Sequence, residues 1–455
     1  MQADHDASLR RVLSGMDATA IVVGSVIGVG IFFTPSRVAS LAGSGEIALA
    51  AWIGGGLIAL LGALSFAELG GMSIGAGGQY TILRDAYGPF PAFLFVFCNS
   101  TAIQSGASAI IAVVCVQNLA VVFGGQSAPA DAWLASLLIV GVAMANIAGV
   151  RWGASIQNVT ALAKVLTLAA VILLAMFRAR HSFTGATSEG SMVGSTGLMA
   201  RFSAALVPTC FTYGGWQHVL WMAGEVRDPA RNLPRAILRG MFLVIVVYVL
   251  VNWAYLALLG PAAVAASQTP AADAVGAAWA NVGRRAFAAA VAVSAFGVLN
   301  EQLLAGPRLV YGMARDGRFF RIFGEVSPRW RTPYASILLI AVVALMLLAL
   351  GGSETVNRLL TGVVTIDSTF FALTGLAVIV LRYRQPFAPR SMRVPGYPWV
   401  PLGFAVCQAG IVIATFFQPD VRAAAYVGAL WIVAAAVCFY LFFRTRALVN
   451  DGFGE

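Results

Sequence analysis

Apolar residues run in long blocks along this chain, each near the 20 residues that a bilayer core of roughly 30 Å demands of a helix. Polar residues gather in the short stretches between them. Twelve such windows fall near 17–41, 46–71, 90–123, 131–150, 155–177, 198–224, 234–260, 284–313, 333–350, 356–382, 398–418 and 422–443. The pattern predicts an all-α membrane protein with 12 transmembrane helices, a cytoplasmic N-terminus over 1–16 and a cytoplasmic C-terminus over 444–455.

Composition sharpens this picture. Of 455 residues, 59% are hydrophobic and 11% charged, which excludes both a water-soluble domain and a disordered chain. The formal charge of +10 does not point to nucleic acid, because no solvated segment is long enough to carry a basic face. Its meaning is topological. With the N-terminus inside, 20 arginines fall on the inner side of the predicted spans and 8 on the outer, as the positive-inside rule expects of an inner-membrane protein. The pair Arg10-Arg11 precedes a first apolar stretch too long for a signal-peptide core, so that stretch is read as an uncleaved helix. The lipid bilayer is the expected surrounding.

The five cysteines, Cys98, Cys115, Cys210, Cys407 and Cys438, each lie inside an apolar run and read as small core residues. Their spacing matches no metal site, and His5, His181 and His218 are scattered. No metal or cofactor is called for.

Two spans carry interruptions. The first contains GSVIGVGIFFTP, Gly24 to Pro35, and the sixth PTCFTYGGWQ, Pro208 to Gln217. Small residues also serve close helix packing, so either cluster alone has two readings. Together they open two five-helix blocks, 17–177 and 198–382, and paired interruptions of this kind point to an inverted-repeat transporter with a midplane site. The interruptions are expected near 28–30 and 212–215, with helices 11 and 12 (398–443) following the repeats.

A broken helix frees N–H groups at the start of one half and carbonyls at the end of the other, each terminus equivalent to about half a charge. A zwitterion or small anion suits such ends. Its carboxylate is placed on the N–H groups around Val29, Gly30 and Ile31, and its ammonium on carbonyls near Ser25, Val26 and Phe211. Side chains at Gly28, Gly30 or Gly214 would hold the ligand off the backbone.

At these residues the chain resembles the amino acid-polyamine-organocation superfamily, nearest its L-type amino acid transporter branch. Beyond GSVIGVGIFFTP, the resemblance is carried by FTYGGWQHVLWMAGEVRDPARNLPRAI (Phe211 to Ile237), ELGGMSIGAGGQYTILRDAYGP (Glu68 to Pro89), GVRWGASIQNVTALAKVLTL (Gly149 to Leu168) and RVPGYPWVP (Arg393 to Pro401). It spans nearly the whole chain. It implies a leucine-transporter-like fold and sodium-independent transport or exchange of amino acids by alternating access. It also implies that the first-helix Gly-x-Gly binds the carboxylate and that Phe211 closes the site from outside. Val29 stands where the family has Ser or Thr, leaving backbone donors only. Animal members join a glycoprotein subunit through a cysteine between helices three and four; the loop Gly124 to Asp131 has none, so no disulfide-linked heavy subunit is expected.

Lys164 is the only lysine. It lies about nine residues, roughly 13 Å, into the fifth span, where a lysine costs about 2.5 to 3.5 kcal/mol on insertion scales. Two readings compete: a structural cation satisfied by carbonyls of the broken first helix, or a gating residue standing where sodium-coupled relatives hold an ion.

Other polar residues divide similarly. Glu68 is expected to pair with a loop arginine, and Glu225, Arg227, Asp228 and Arg231 to form a mixed-charge inner loop that serves as a solvated interface or a cytoplasmic gate. Asp367 is read either as a proton or amine partner or as one half of a polar pair. Asn300, beside Glu301, is a secondary candidate, and Tyr213 and Trp216 suit either the pocket wall or helix packing. The sequence thus predicts a secondary carrier exchanging neutral amino acids. Proton-coupled uptake of amino acids or amines is the alternative, and an amino acid-binding sensor a third reading. An intramembrane enzyme fails for want of paired catalytic groups.

Overall fold

The computed structural model describes residues 11–28, 30–72, 77–123, 130–179, 182–186, 197–267, 270–276, 280–417 and 419–443. Val29, the segments 1–10 and 444–455 and most of the loop after Phe123 lie outside the described residues, as does the Phe211 side chain. Apart from two isolated bridges, the regular elements among the described residues are helices.

The first helix begins where Ser14 and Asp17 cap each other reciprocally. The Ser14 amide donates to the Asp17 carboxylate at 2.8 Å and the Asp17 amide to the Ser14 hydroxyl at 3.2 Å, a capping box. Helix α1 (Gly15–Val26) stops before Gly28, and α2 resumes at Gly30 and runs to Ala42. Then come α3 (Gly45–Gly70), the short α4 (Gln79–Tyr87) and α5 (Pro89–Cys98). A π-helical turn over Asn99–Gln104 joins α5 to α6 (Ser105–Val122). Helices α7 (Ala130–Ile147) and α8 (Val150–Arg178) complete the first half.

The second half opens with another interrupted pair, α9 (Leu198–Thr212) and α10 (His218–Trp221). It continues through α11 (Pro229–Leu259), the short α12 (Pro261–Ala266) and α13 (Pro270–Gly276), α14 (Ala280–Ala305) and α15 (Pro307–Arg315). Beyond α15 lie α16 (Tyr334–Arg384), α17 (Trp399–Phe417) and α18 (Pro419–Cys438). Among the described residues, 8 helices are long and apolar enough to cross a membrane, and shorter apolar helices occupy Gly15–Val26, Ala132–Ile147, Leu198–Cys210 and Tyr334–Ala349.

One boundary departs from the hydropathy pattern. The two windows predicted at 333–350 and 356–382 are joined in α16, 51 residues without a break. At 1.5 Å per residue that is about 76 Å, far more than one crossing requires. The connecting Gly351-Gly352-Ser353-Glu354 has no proline to remove a backbone donor, and glycine weakens a helix by only about 1 kcal/mol. The ends of α16 sit in different cores. Ile337, Ile340 and Ala344 pack with α6, α7 and α14, whereas Ile366, Phe370 and Leu381 join the main core around α1, α3 and α11.

Ion pairs tie the polar ends together. Glu68, closing α3, receives Arg382 at 2.8 and 2.6 Å, the Val394 amide at 2.7 Å and Arg390 at 3.3 Å, so its partners are a loop arginine and a helix-end arginine. Glu225 does not lie in a solvated loop. It is fully buried with Arg308, the guanidinium donating at 2.6 and 3.4 Å. Backbone bonds fasten the N-terminal segment to the same stretch: the Leu13 amide donates to the Glu225 carbonyl and the Arg227 amide to the Leu13 carbonyl. Glu225→Ala is expected to destabilise the protein by about 3–5 kcal/mol, because it strands a buried cation. Glu225→Leu combined with Arg308→Met should recover most of that loss, as read from thermal unfolding in detergent.

Candidate functional site

The first break is a tight turn with an identifiable origin. Ile27 has φ −73° and ψ 77°, and the Gly28 amide donates to the Val26 carbonyl at 2.7 Å, the geometry of an inverse γ-turn. Turning the Gly28 amide toward Val26 deprives the Gly24 carbonyl of its helical donor. Lys164 from α8 fills that position, its ammonium donating to Gly24 at 2.9 Å. Lysine is accommodated because α14 presents Gly297 at this point: a Cβ there would lie 3.1 Å from Lys164 Cε.

The second break lies against the first. Gly215 has φ +113°, a conformation open to glycine, and its amide donates to the Gln217 side-chain oxygen at 3.0 Å. A Cβ on Gly215 would stand 2.7 Å from the Ser25 carbonyl oxygen and 3.3 Å from the Val26 amide nitrogen. Absence of a side chain is therefore what lets the two interruptions touch. Pro208, inside α9, removes a further helical donor upstream.

Beside the junction opens a cavity of about 180 Å³. Ser25, Cys210, Gly214, Gly215, Gln217 and His218 form its wall from the two breaks. Gln104 and its neighbours come from the π-helical turn and α6, Gln302 from α14, Asp367, Ser368 and Phe371 from α16, and Gln408 from α17. Segments distant in sequence thus converge on a small chamber lined by both polar and apolar side chains.

Residues 13–443 match the family described as amino acid permease. The chain belongs to that family. It is similar to the serine/threonine exchanger SteT of Bacillus subtilis (strain 168), with 29% identity over 88% of this chain and 89% of that protein. It is also similar to the b(0,+)-type amino acid transporter 1 of Homo sapiens, at 28% over 97% and 90%. The large neutral amino acids transporter small subunit 2 of Homo sapiens is 29% identical over 85% and 72%. The chain is accordingly a multi-pass membrane transporter of the L-type branch and not an enzyme.

Several predicted residues take other positions in this permease. The Val26 carbonyl, offered above to a ligand ammonium, already accepts from the Gly28 amide and from the Tyr248 hydroxyl at 2.7 Å. The Ser25 hydroxyl donates to the Ile21 carbonyl at 2.6 Å, so only its backbone is turned to other use. Tyr213 does not face the cavity: its hydroxyl donates to the Trp52 carbonyl at 3.1 Å and its ring packs on Trp52 and Tyr248. Trp216 stacks on Phe371 at 5.7 Å and meets Phe66 edge-on, one layer behind the wall. Asn300 bonds the Gly153 carbonyl at 2.9 Å and Asn146 at 3.0 Å, fastening α14 to the corner between α7 and α8. Gly28 has its nearest neighbour, Val298, at 3.6 Å from an added Cβ, while Gly30 faces Thr212 at 3.4 Å. Ile31 is fully buried. Gly214 and Asp367 line the cavity.

The sequence reading passed over His218. Its Nδ1 lies 2.5 Å from a Glu301 carboxylate oxygen, with both side chains buried, and its ring lies 4.1 Å from that of Trp221. The signal was present. His218 immediately follows the glycine break, and an intramembrane glutamate requires a partner; treating histidine only as a metal ligand hid the pair.

Proposed function

We propose that this permease is a sodium-independent exchanger of neutral L-amino acids working by alternating access in the inner membrane. The proposed layout has both termini cytoplasmic and twelve spans arranged as a 5+5 inverted repeat with two further helices, the two ends of α16, which pack in separate cores, counting as the ninth and tenth spans. The observation that carries the reading is the meeting of Gly215 with the Ser25 carbonyl beside a cavity that polar side chains help to line. The first turn of α2, at Gly30 and Ile31, is assigned the amide donors for a carboxylate, and the Ser25 carbonyl, at the cavity wall, the ammonium. Phe211 is assigned the outer closure. Lys164 on the Gly24 carbonyl supports sodium independence, since a fixed ammonium serves where a mobile cation otherwise would. The names of the relatives, an exchanger of serine and threonine and a transporter of large neutral amino acids, support neutral substrates.

Counterflow of labelled amino acids in proteoliposomes is the direct test. Exchange is expected to persist when choline replaces sodium and to vanish without internal substrate. Proton-coupled uptake is the second reading, favoured by His218–Glu301 and Asp367 around the chamber. A pH gradient that drives uptake into vesicles holding no amino acid would establish it in place of exchange.

A further inference from the structure

The chamber wall away from the helix breaks has a chemistry that neutral-amino-acid exchange does not explain. Gln104 and Gln302 both line it, both are at least nine-tenths buried, and among the described residues neither side-chain oxygen has a hydrogen-bond partner. Gly306 lets the two segments approach: a Cβ there would meet Gln104 Cγ at 3.2 Å and the Gln302 backbone carbonyl oxygen at 2.8 Å. Gln104 closes the π-helical turn, a distortion that re-aims side chains and recurs at functional sites. Asp367 lines the same chamber and makes no side-chain hydrogen bond among the described residues. Buried polar groups left unpaired are costly, and here two unpaired amide oxygens and a half-buried carboxylate belong to residues lining one small space. A merely apolar subsite would carry none of them.

We propose that this wall is a side-chain subsite that selects amino acids whose side chain donates hydrogen bonds, with Asp367, Gln104 and Gln302 as the receiving groups. The proposal rests on the amino acid transport reading above. Hydroxyl, carboxamide and ammonium side chains share the required donor. The amides can also turn to present their NH2 groups, which suits a carboxamide or hydroxyl that both donates and accepts. An aliphatic side chain of equal size would instead leave the receiving groups unpaired, and a site built for hydrogen bonding rejects such isosteres strongly.

The test uses the full chain in proteoliposomes, with matched competitors against counterflow of whichever labelled amino acid it exchanges. Threonine is expected to compete at concentrations at least about tenfold lower than its isostere valine, and asparagine likewise ahead of leucine. Asp367→Asn and the pair Gln104→Leu with Gln302→Leu should each bring the threonine-to-valine ratio toward one, a change that loss of folding alone does not produce. Ornithine ahead of asparagine supports the proposal with a cationic donor, and asparagine ahead of ornithine supports it with a neutral one. Valine and leucine competing as well as threonine and asparagine in the unmodified protein would overturn the subsite while leaving amino acid transport standing. Variants that lose threonine and valine in equal proportion would also overturn it, and absence of counterflow with every amino acid would remove the transport reading and the subsite together.

Discussion

Gly215→Ala is expected to reduce counterflow in proteoliposomes by about a hundredfold while the purified protein stays folded in detergent. Two costs act together. An L side chain at φ +113° occupies a region that non-glycine residues pay about 1–3 kcal/mol to hold. The new Cβ would also lie 2.7 Å from the Ser25 oxygen and 2.9 Å from its carbonyl carbon, backbone atoms with no rotamer through which to withdraw. Relief requires the first and sixth spans to separate at their interruptions, where the ligand backbone is proposed to bind. A misplacement worth roughly 3 kcal/mol corresponds to about two orders of magnitude at 1.4 kcal/mol per decade. Gly28→Ala supplies the contrast, because its added Cβ meets nothing nearer than Val298 at 3.6 Å and should leave the backbone in place. Exchange by Gly215→Ala within threefold of the unmodified protein would show that close approach of the breaks is dispensable.

The breaks were legible because glycine and proline act locally. GSVIGVG and PTCFTYGG announce missing donors and permitted backbone conformations without reference to the rest of the chain. The orientation of Tyr213 was not legible, since position after a break does not say which neighbour takes the hydroxyl. Only the fold brings the Trp52 carbonyl within 3.1 Å. The same holds for Glu225, whose partner Arg308 is 83 residues away, and for His218 with Glu301. A charge between hydrophobic blocks looks solvated in sequence, and burial becomes visible only once the fold brings a distant partner against it. Helix α16 shows a different limit. Two glycines lower helix preference without forbidding it, so hydropathy set a boundary that the backbone does not keep.

Lys164→Met is the other substitution expected to act strongly, lowering exchange by at least about tenfold and altering its pH profile between pH 5.5 and 8.5. The Gly24 carbonyl lost its helical donor when the Gly28 amide turned to Val26, and the lysine ammonium is the donor that replaces it. Methionine preserves length and apolar packing but leaves that carbonyl unpaired, at about 1–3 kcal/mol for a buried group. This cost falls on the state in which α1 and α8 are fastened together, so the variant should favour states in which they part. The charge matters separately, because Lys164 lies within electrostatic reach of Glu301, which holds His218 at the cavity wall. Removing the cation therefore changes the field on a pair whose histidine lines the chamber. Glu301→Gln should shift the pH profile in the unmodified background and much less in Lys164→Met, since both substitutions act on one buried network and such effects do not add. Wild-type rate and pH profile in Lys164→Met would reduce the lysine to a packing element and disconnect the first-helix break from the chamber.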